Sequence, residues 1–332
     1  MNLDYTPLSR TIPYKELFGY FKELPRNKRM ALIVAAGLDA LLVIIGIVAL
    51  PWTFASISSG SVDSFQANFV WVIIGVAALL APFVYLYSQQ EAIRIKRFAQ
   101  ANGLTYYHGP LVGDNKGLIF QYGHSKSFEY VFGLQSNSIK EFGTYSYVTG
   151  SGKSSQTHYY SYVMVKLPRT LPNMVLDSTE NNIFGQTGLP KTLSKDQVLE
   201  LEGDFNNYFT LYAPKEYERD ALYIFTPDVM RAMVDAPNRY DGEIVDDEFY
   251  LYTKRLSIHD TDAIEGLLAI ASRITSQLDK QASSYRDERV ENSNGDAIAA
   301  HGARLKTSMV PQAIVVVMAV LVTYWIVSLL YR

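Results

Sequence analysis

The sequence predicts an α+β protein in which three transmembrane helices accompany one cytoplasmic antiparallel sheet domain packed by helices. Three segments almost free of charged residues, 30–50, 69–87 and 309–330, are each long enough to cross about 30 Å of hydrocarbon. The region between the second and the third is rich in β-branched and aromatic runs, which favour strands, and amphipathic helical patterns follow them. Lysine and arginine flank the spans on one side only, which indicates the orientation of the chain.

The positions of these basic residues give the orientation. They precede the first span, follow the second and precede the third, whereas the connection 51–68 contains neither lysine nor arginine. Cytoplasmic flanks carry the excess of basic residues, so the N-terminus and the large middle region are expected in the cytoplasm and the C-terminus outside. The chain is therefore predicted to be a multi-pass protein of the cell (inner) membrane, in contact with membrane lipids.

Five parts are expected along the chain. The N-terminal arm includes an amphipathic helix that Thr11 caps and that ends before Pro25, lying either at the membrane interface or on the soluble domain. The polar composition after 281 predicts a flexible linker. The five parts are the cytoplasmic arm 1–29, a two-helix transmembrane hairpin 30–88, the cytoplasmic α+β domain 89–281, the polar linker 282–307 and a C-terminal transmembrane helix 308–332.

A strand-rich half of the domain is expected to precede a half with helices. The second span continues as a helix to a stop signal at Asn102 and Gly103, and β-prone runs, including 117–122, then extend to about Asp177. After them we expect a helix that Ser194 caps. A strand at 209–213 follows that helix.

The last third of the domain carries clearer boundary signals. A strand at 221–225 is expected to lead into a helix with Thr226 as its N-cap and proline at the first helical position. A tight hairpin is expected around Asp246 and Asp247, and a final helix from about Asp260. The apolar residues that recur at helical spacing, and that should cover the sheet, are Ile264, Leu267, Leu268, Ala271, Ile274 and Leu278.

The run GSGKS at 150–154 matches only the second half of a phosphate-binding loop. Tyr147 stands where that pattern requires its first glycine, and a β-prone run rather than a helix follows Lys153. Two β-prone runs flank the glycine- and serine-rich connection, which predicts a hairpin. The tyrosines of its strands form a candidate binding surface, although tyrosine is also common in strands for its β-propensity alone. The candidate residues are Tyr147, Gly150, Gly152, Lys153, Tyr159 and Tyr160.

Asp39 lies near the middle of the first span, where a charged side chain costs about 2.5 to 3.5 kcal/mol to insert. Such an acid either binds an ion or relays protons, or else forms hydrogen bonds with Thr323, with Ser328 or with a second copy of the chain. We favour packing and assembly over ion handling. The neighbouring small residues that would let helices approach closely are Ala36, Gly37 and Ala40.

Several classes of chemistry lack the residues they need. The chain has no cysteine, its five histidines are scattered without metal-binding spacing, and no nucleophile-elbow motif occurs. Between 89 and 307 there are 23 basic and 28 acidic residues, a balance of −5, which argues against nucleic-acid binding. We therefore predict no catalytic residue, no cofactor, no metal ion and no enzymatic activity.

The run LEGDFNNYFTLYAPKEYERDALYIFTPDVMRAM at 201–233, followed by DEFYLYT, resembles the signature of the bacterial membrane proteins grouped as domain of unknown function 3137. The NGLTYY start and the glycine- and serine-rich hairpin are also similar to related membrane proteins. The likeness covers roughly 89–281, whereas the linker and the third span depart from the usual pattern. It implies two N-terminal spans and a cytoplasmic α+β domain of uncharacterised activity.

Two functions from different classes fit these observations. In the first, the protein is a membrane-anchored cytoplasmic binding or scaffold module that brings a protein partner or a small ligand to the inner membrane surface, or assembles as a homo-oligomer. In the second, it is a small oligomeric transport or sensing protein that uses Asp39. We expect the first, because three spans are few for a transporter.

Overall fold

The computed structural model describes residues 3–23, 26–59, 62–134, 138–181, 189–190, 193–201, 204–236, 240–290 and 296–307. The chain forms two compact units, one over 2–102 and one over 103–332. The first consists of helices, and the second contains an antiparallel sheet with helices. The predicted α+β class and the antiparallel sheet are therefore confirmed.

The N-terminal unit contains two long helices, one of which has the length and composition of a membrane span. Among the described residues, Arg29–Ser56 is the stretch that passes this test, with a mean hydropathy of 2.7 and only 6% of its most apolar 18 residues buried. The next apolar stretch, Phe69–Ala81, is shorter, so a second span over 69–87 is not confirmed. The third predicted span, 309–330, lies outside the described residues. The helices of the unit are α1 Thr6–Ser9, α2 Tyr14–Glu23, α3 Arg26–Ser59 and α4 Val62–Ala101.

Two glycines bring α3 and α4 into close contact. A Cβ atom on Gly46 would lie 2.8 Å from the Cα of Gly75 and 3.2 Å from the carbonyl oxygen of Trp71. Only glycine at both positions allows this approach, because real Cβ atoms do not come so near to backbone. By contrast, a Cβ on Gly37 would meet nothing within 4 Å. Close packing of the described helices is therefore centred at Gly46, about two helical turns beyond Asp39.

Helix α2 packs on the last part of α4. Leu17 is buried together with Ile12 and Ile93, and Glu16 forms an ion pair with Arg97. Leu17 is the residue of the predicted apolar face whose side chain is described, and it packs on α4 within the same unit.

The predicted helix boundaries of this unit have different outcomes. Helix α4 ends at Ala101, and Gly103 follows with a φ of +63°, as the stop signal predicts. The prediction that Thr11 caps the helix of the arm is wrong, because the carbonyl of Pro13 accepts the first helical bond, from the Glu16 amide at 2.9 Å. The cap position is therefore taken by a residue whose side chain cannot accept a hydrogen bond.

The sheet of the second unit has seven strands within the described residues, and all its pairings are antiparallel. The order is β1-β2-β3-β4-β6-β5, with β7 paired to the long strand β4 as well. The strands are β1 Thr105–Pro110, β2 His124–Gly133, β3 Ile139–Thr149, β4 Gln156–Ser178, β5 Val198–Leu199, β6 Phe209–Tyr212 and β7 Asp241–Lys254.

The helices that accompany the sheet in the described part of the chain are α5 Glu218–Ile224, α6 Pro227–Val234 and α7 Thr261–Ser284. Asp260 caps α7, as its side chain accepts a bond from the Ala263 amide, and all six residues of its predicted apolar face are buried. Thr226 caps α6 by accepting from the Val229 amide. Both helix starts are therefore confirmed.

Two elements of the domain differ from their prediction, because a short apolar run in the sequence does not distinguish a strand from a turn. The run 117–122 is not a strand: Leu118–Gln121 forms a 3₁₀ turn that buries Phe120 almost completely. Ser194 does not cap a helix either. Its side chain donates to the Asp196 carboxylate, and the described residues after it alternate between short 3₁₀ turns and the two-residue strand β5.

Two more predictions are wrong in the last third of the domain. The stretch 221–225 belongs mainly to helix α5 instead of a strand, since Glu218 and Asp220 place acidic side chains in a first helical turn. No hairpin occurs at Asp246 and Asp247, because β7 runs straight through both. Asp246 has a φ of +54° at a shift in the β4–β7 register, so the two aspartates mark a β-bulge.

The segment predicted to be a flexible linker packs on the domain in its described part. Tyr285 and Asp287 are buried, the Leu305 amide donates to the side-chain oxygen of Asn173 at 2.9 Å, and Thr307 pairs with Leu193. Some of its polar groups therefore form hydrogen bonds to the domain, although many of its side chains are exposed. The domain extends well beyond the expected boundary at 281.

Candidate functional site

The predicted hairpin is present, and its connection has no helix to hold a phosphate. Strands β3 and β4 pair in register up to Thr149 and Gln156, and Gly152–Ser154 forms a single 3₁₀ turn between them. Gly150 has a φ of +74°, and a Cβ there would lie 2.4 Å from the carbonyl oxygen of Ser154. The glycines of GSGKS thus close a tight turn, and Lys153 is exposed on it.

The candidate tyrosines of the hairpin separate into core and surface. Tyr147 is 1% exposed and stacks on His158 and Tyr160, with ring centroids 4.9 and 6.1 Å away, and burial raises its pKa above the usual value. Tyr159 points to the other face and is 40% exposed, with the guanidinium of Arg255 4.9 Å from its ring centroid. The candidate residues therefore do not form one exposed face. Tyr147 belongs to the core, and Tyr160 is half-buried beside it.

Asp39 is partly exposed within α3, and the small residues beside it are exposed. Its suggested partners on the third span, Thr323 and Ser328, lie outside the described residues. The structure therefore brings no described side chain to the carboxylate that would distinguish packing from ion handling.

A cluster that sequence reasoning missed lies on the sheet face beneath the 3₁₀ turn. It consists of three tyrosine–carboxylate pairs in which each phenol donates to a glutamate. Tyr162 bonds Glu141 at 2.8 Å, Tyr250 bonds Glu248 at 2.7 Å, and Tyr252 bonds Glu243 at 2.6 Å. The signal in the sequence was the presence of glutamates within strands, where charged side chains on a buried face need partners.

The 3₁₀ turn at Leu118–Gln121 closes this cluster. Phe120 inserts among the rings of Phe128, Tyr145, Tyr162 and Tyr250, with centroid distances from 4.7 to 6.2 Å. The turn therefore covers the aromatic core, and the ring contacts of Phe120 hold it there.

Glu243 is the most deeply buried carboxylate of the cluster. It is 4% exposed and accepts hydrogen bonds from the Leu118 amide and from the Tyr252 hydroxyl, each at 2.6 Å. Burial raises its pKa to about 7, against the opposing effect of these bonds, and burial likewise raises the pKa of Glu141. The cluster can hold a proton near neutral pH, but its burial leaves no room for a ligand.

Ion pairs surround the edge of the cluster. Asp246 receives Lys116 at 2.9 Å and Arg304 at 2.8 Å, and Asp247 receives Lys166 at 2.5 Å. These pairs connect the loop before the turn and the segment after α7 to strand β7. The cluster therefore lies where several segments of the domain are held together.

An open site lies elsewhere, where α5 meets the end of α7. A cleft of about 830 Å³ opens there. Arg219 and Tyr223 line it from α5, and Arg286 and Glu288 line it from the segment after α7. Its walls carry cations that make no ion pair within the described part of the chain, so the cleft can receive an anionic group.

A hydrogen-bonded network forms the floor of this cleft. The Tyr285 hydroxyl donates to Asp220 at 2.7 Å, and the guanidinium of Arg289 bonds Asp220 at 3.0 Å and Asp287 at 3.1 Å. Arg289 also lies over the ring of Tyr217, with its central carbon 4.0 Å from the centroid. Arg289 is therefore a fixed structural residue, unlike the arginines of the walls.

No group of histidine, aspartate and glutamate side chains among the described residues could hold a metal ion. Comparison with family models, with curated proteins and with solved structures finds no significant match to this chain.

Proposed function

We propose that this chain is a membrane-anchored protein whose α+β domain binds a protein partner or a small ligand beside the membrane surface. The observation that carries the proposal is the pairing of an apolar helical stretch with few buried residues, Arg29–Ser56, with a domain that has its own sheet and buried core. Exposed apolar surface of that length needs a lipid environment, whereas the domain buries its aromatic residues without one.

The orientation and the remaining spans are part of the proposal. The basic flanks support a cytoplasmic N-terminus and domain, with 69–87 as a second span and 309–330 as a third that leaves the C-terminus outside. Membership of the bacterial family named domain of unknown function 3137 is proposed on the run 201–233. The open cleft beside α5 supports a binding role over a purely structural one.

Cysteine labelling tests the orientation directly, because the natural chain has no cysteine. Lys153→Cys places a thiol on the exposed hairpin turn, and Ser58→Cys places one near the end of α3. In intact cells an impermeant maleimide should label Ser58→Cys only, and permeabilisation should add labelling of Lys153→Cys. Labelling of Lys153→Cys in intact cells would contradict the proposal.

A second candidate function rests on the exposed face of α3 around Asp39. Because the described helices leave that face uncovered, a second copy of the chain could cover it and form an ion pathway. In liposomes, Asp39→Asn should then abolish ion flux by the full chain while leaving the fold of the domain unchanged. Equal flux through the wild type and the variant would eliminate this function.

A further inference from the structure

We propose that the cleft beside α5 binds the phosphoryl group of a small ligand. The inference rests on the proposed binding function of the domain and assigns its ligand a chemical class. It concerns a site far along the sequence from the glycine-rich hairpin.

The first support is that two arginines of the cleft lack a bonding partner among the described residues. Arg219 and Arg286 are exposed and make no ion pair or hydrogen bond within the described part of the chain. Each guanidinium therefore presents its full set of donors. Arginine binds phosphate oxygens through two parallel N–H donors, and Arg219 and Arg286 line the same cleft.

The second support is the rigidity of the floor. Asp220 holds α5 to the end of α7 through Tyr285 and Arg289, at 2.7 and 3.0 Å. The donors of Arg289 are occupied by Asp220 and Asp287, so Arg289 does not compete for a ligand anion. Because these bonds fix α5 against the segment after α7, the backbone positions of Arg219 and Arg286 are set before a ligand arrives, which reduces the cost of binding.

The third support is the aromatic wall. Tyr223 is 43% exposed, and its ring centroid lies 6.5 Å from that of Tyr285. Tyr223 follows Arg219 by one helical turn, so ring and guanidinium face the same side of α5. A ligand with a flat or apolar portion can contact this ring while its phosphoryl group meets the arginines.

Charge distribution argues that this is a site and not part of a general basic surface. The region 89–307 has a balance of −5, yet the exposed charges that line the cleft are those of Arg219 and Arg286 against one carboxylate, Glu288. Beneath them Arg289 is paired with two carboxylates, Asp220 and Asp287, so the excess of positive charge is confined to the exposed side chains. Local concentration of one sign within a concave surface attracts ions of the opposite sign.

Titration of pyrophosphate into the full chain, in nanodiscs of phosphatidylcholine at physiological salt, tests the inference. We expect saturable binding by calorimetry, with the dissociation constant raised at least about tenfold by the double change Arg219→Gln and Arg286→Gln, because both charged donors to the phosphoryl group are lost. Arg231→Gln, which removes an exposed arginine of α6, is the matched control and should leave binding unchanged. Glu288→Gln should tighten binding several-fold.

The lipid composition identifies the source of the phosphoryl group. If the natural ligand is a lipid headgroup, adding phosphatidic acid to the nanodiscs should weaken pyrophosphate binding by competition; if it is a soluble compound, binding should not change. Either result supports a phosphoryl site. Absence of saturable binding, or equal binding by the double variant and the wild type, overturns it. Failure here leaves the cysteine labelling of the anchored module unaffected, so the two proposals fail separately.

Discussion

Replacing Glu243 with glutamine removes a single ionisable group from the centre of the domain while keeping its shape. The glutamine oxygen can still accept from the Leu118 amide and the Tyr252 hydroxyl, which bond Glu243 at 2.6 Å. The variant therefore changes the charge that the cluster can carry and leaves its packing intact. Its effect on stability should depend on pH.

The pKa of Glu243 determines the size of that effect. Burial raises this pKa from 4.5 to about 7, so the folded state binds the proton more tightly than the unfolded state. The stability that the bound proton contributes is fully present below pH 4.5, decreases as the pH rises, and is lost above about pH 7. The difference between the two pKa values corresponds to about 3 kcal/mol of unfolding free energy over the whole range, and to about 1 kcal/mol between pH 6 and pH 8.

Denaturant unfolding of the full chain in detergent, at pH 6 and pH 8, measures this difference. The three tryptophans are at 52, 71 and 325, and none falls between 103 and 307, so near-ultraviolet circular dichroism of the tyrosines is the appropriate probe. Between the two pH values the wild type should lose about 1 kcal/mol more unfolding free energy than Glu243→Gln. Glu265→Gln, the same change at an exposed site of α7, should behave like the wild type. If the wild type and Glu243→Gln lose the same free energy of unfolding between pH 6 and pH 8, the reasoning is refuted.

Three further predictions, the first with a control substitution, test other contacts of the fold. Gly46→Ala should destabilise the α3–α4 pair by about 1 to 3 kcal/mol, because the new Cβ would lie 2.8 Å from a backbone carbon. Gly37→Ala, in open space, should be neutral or slightly stabilising, and tryptophan fluorescence during thermal unfolding compares the two. Phe120→Ala should cost about 3 to 5 kcal/mol by emptying the aromatic cluster, measured by tyrosine circular dichroism. Asp287→Ala leaves the buried Tyr217 hydroxyl without its acceptor and should make the segment after α7 sensitive to trypsin, whereas unchanged cleavage would show that Asp287 does not hold it.

Sequence reasoning succeeded where a boundary signal and a long periodic pattern agreed. Thr226 begins α6 and Asp260 begins α7, because an oxygen of each side chain satisfies a free amide of the first turn. The apolar face of α7 was found over six residues because a helix of that length must bury one side. The rejection of a phosphate loop at 150–154 rested on the β-prone run after the glycines, and that run is strand β4.

The failures share one physical cause, which is that tertiary contacts decide the state of short or polar segments. Leu118–Gln121 is apolar enough for a strand, but the pocket among the sheet's rings is what places Phe120 in a turn. Glu243 lies in a strand and was not recognised, because the partner amide of Leu118 comes from a distant part of the chain. The segment after α7 has the composition of a linker, and only its bonds to Asn173 and Tyr217 show that it belongs to the domain.

The packed segment also limits where the domain can lie if 309–330 spans the membrane. Thr307 pairs with Leu193, so only about two residues, or roughly 7 Å of extended chain, separate this bridge from the expected span. The surface beside Leu193 should then lie at the membrane boundary. A fluorophore on Lys195→Cys, an exposed neighbour of the bridge, should be quenched by a quencher attached to lipid headgroups. Truncation after Thr307 should reduce that quenching, because the restraint on the bridge is removed. Equal quenching in the full and truncated chains would mean that this segment does not hold the domain at the bilayer.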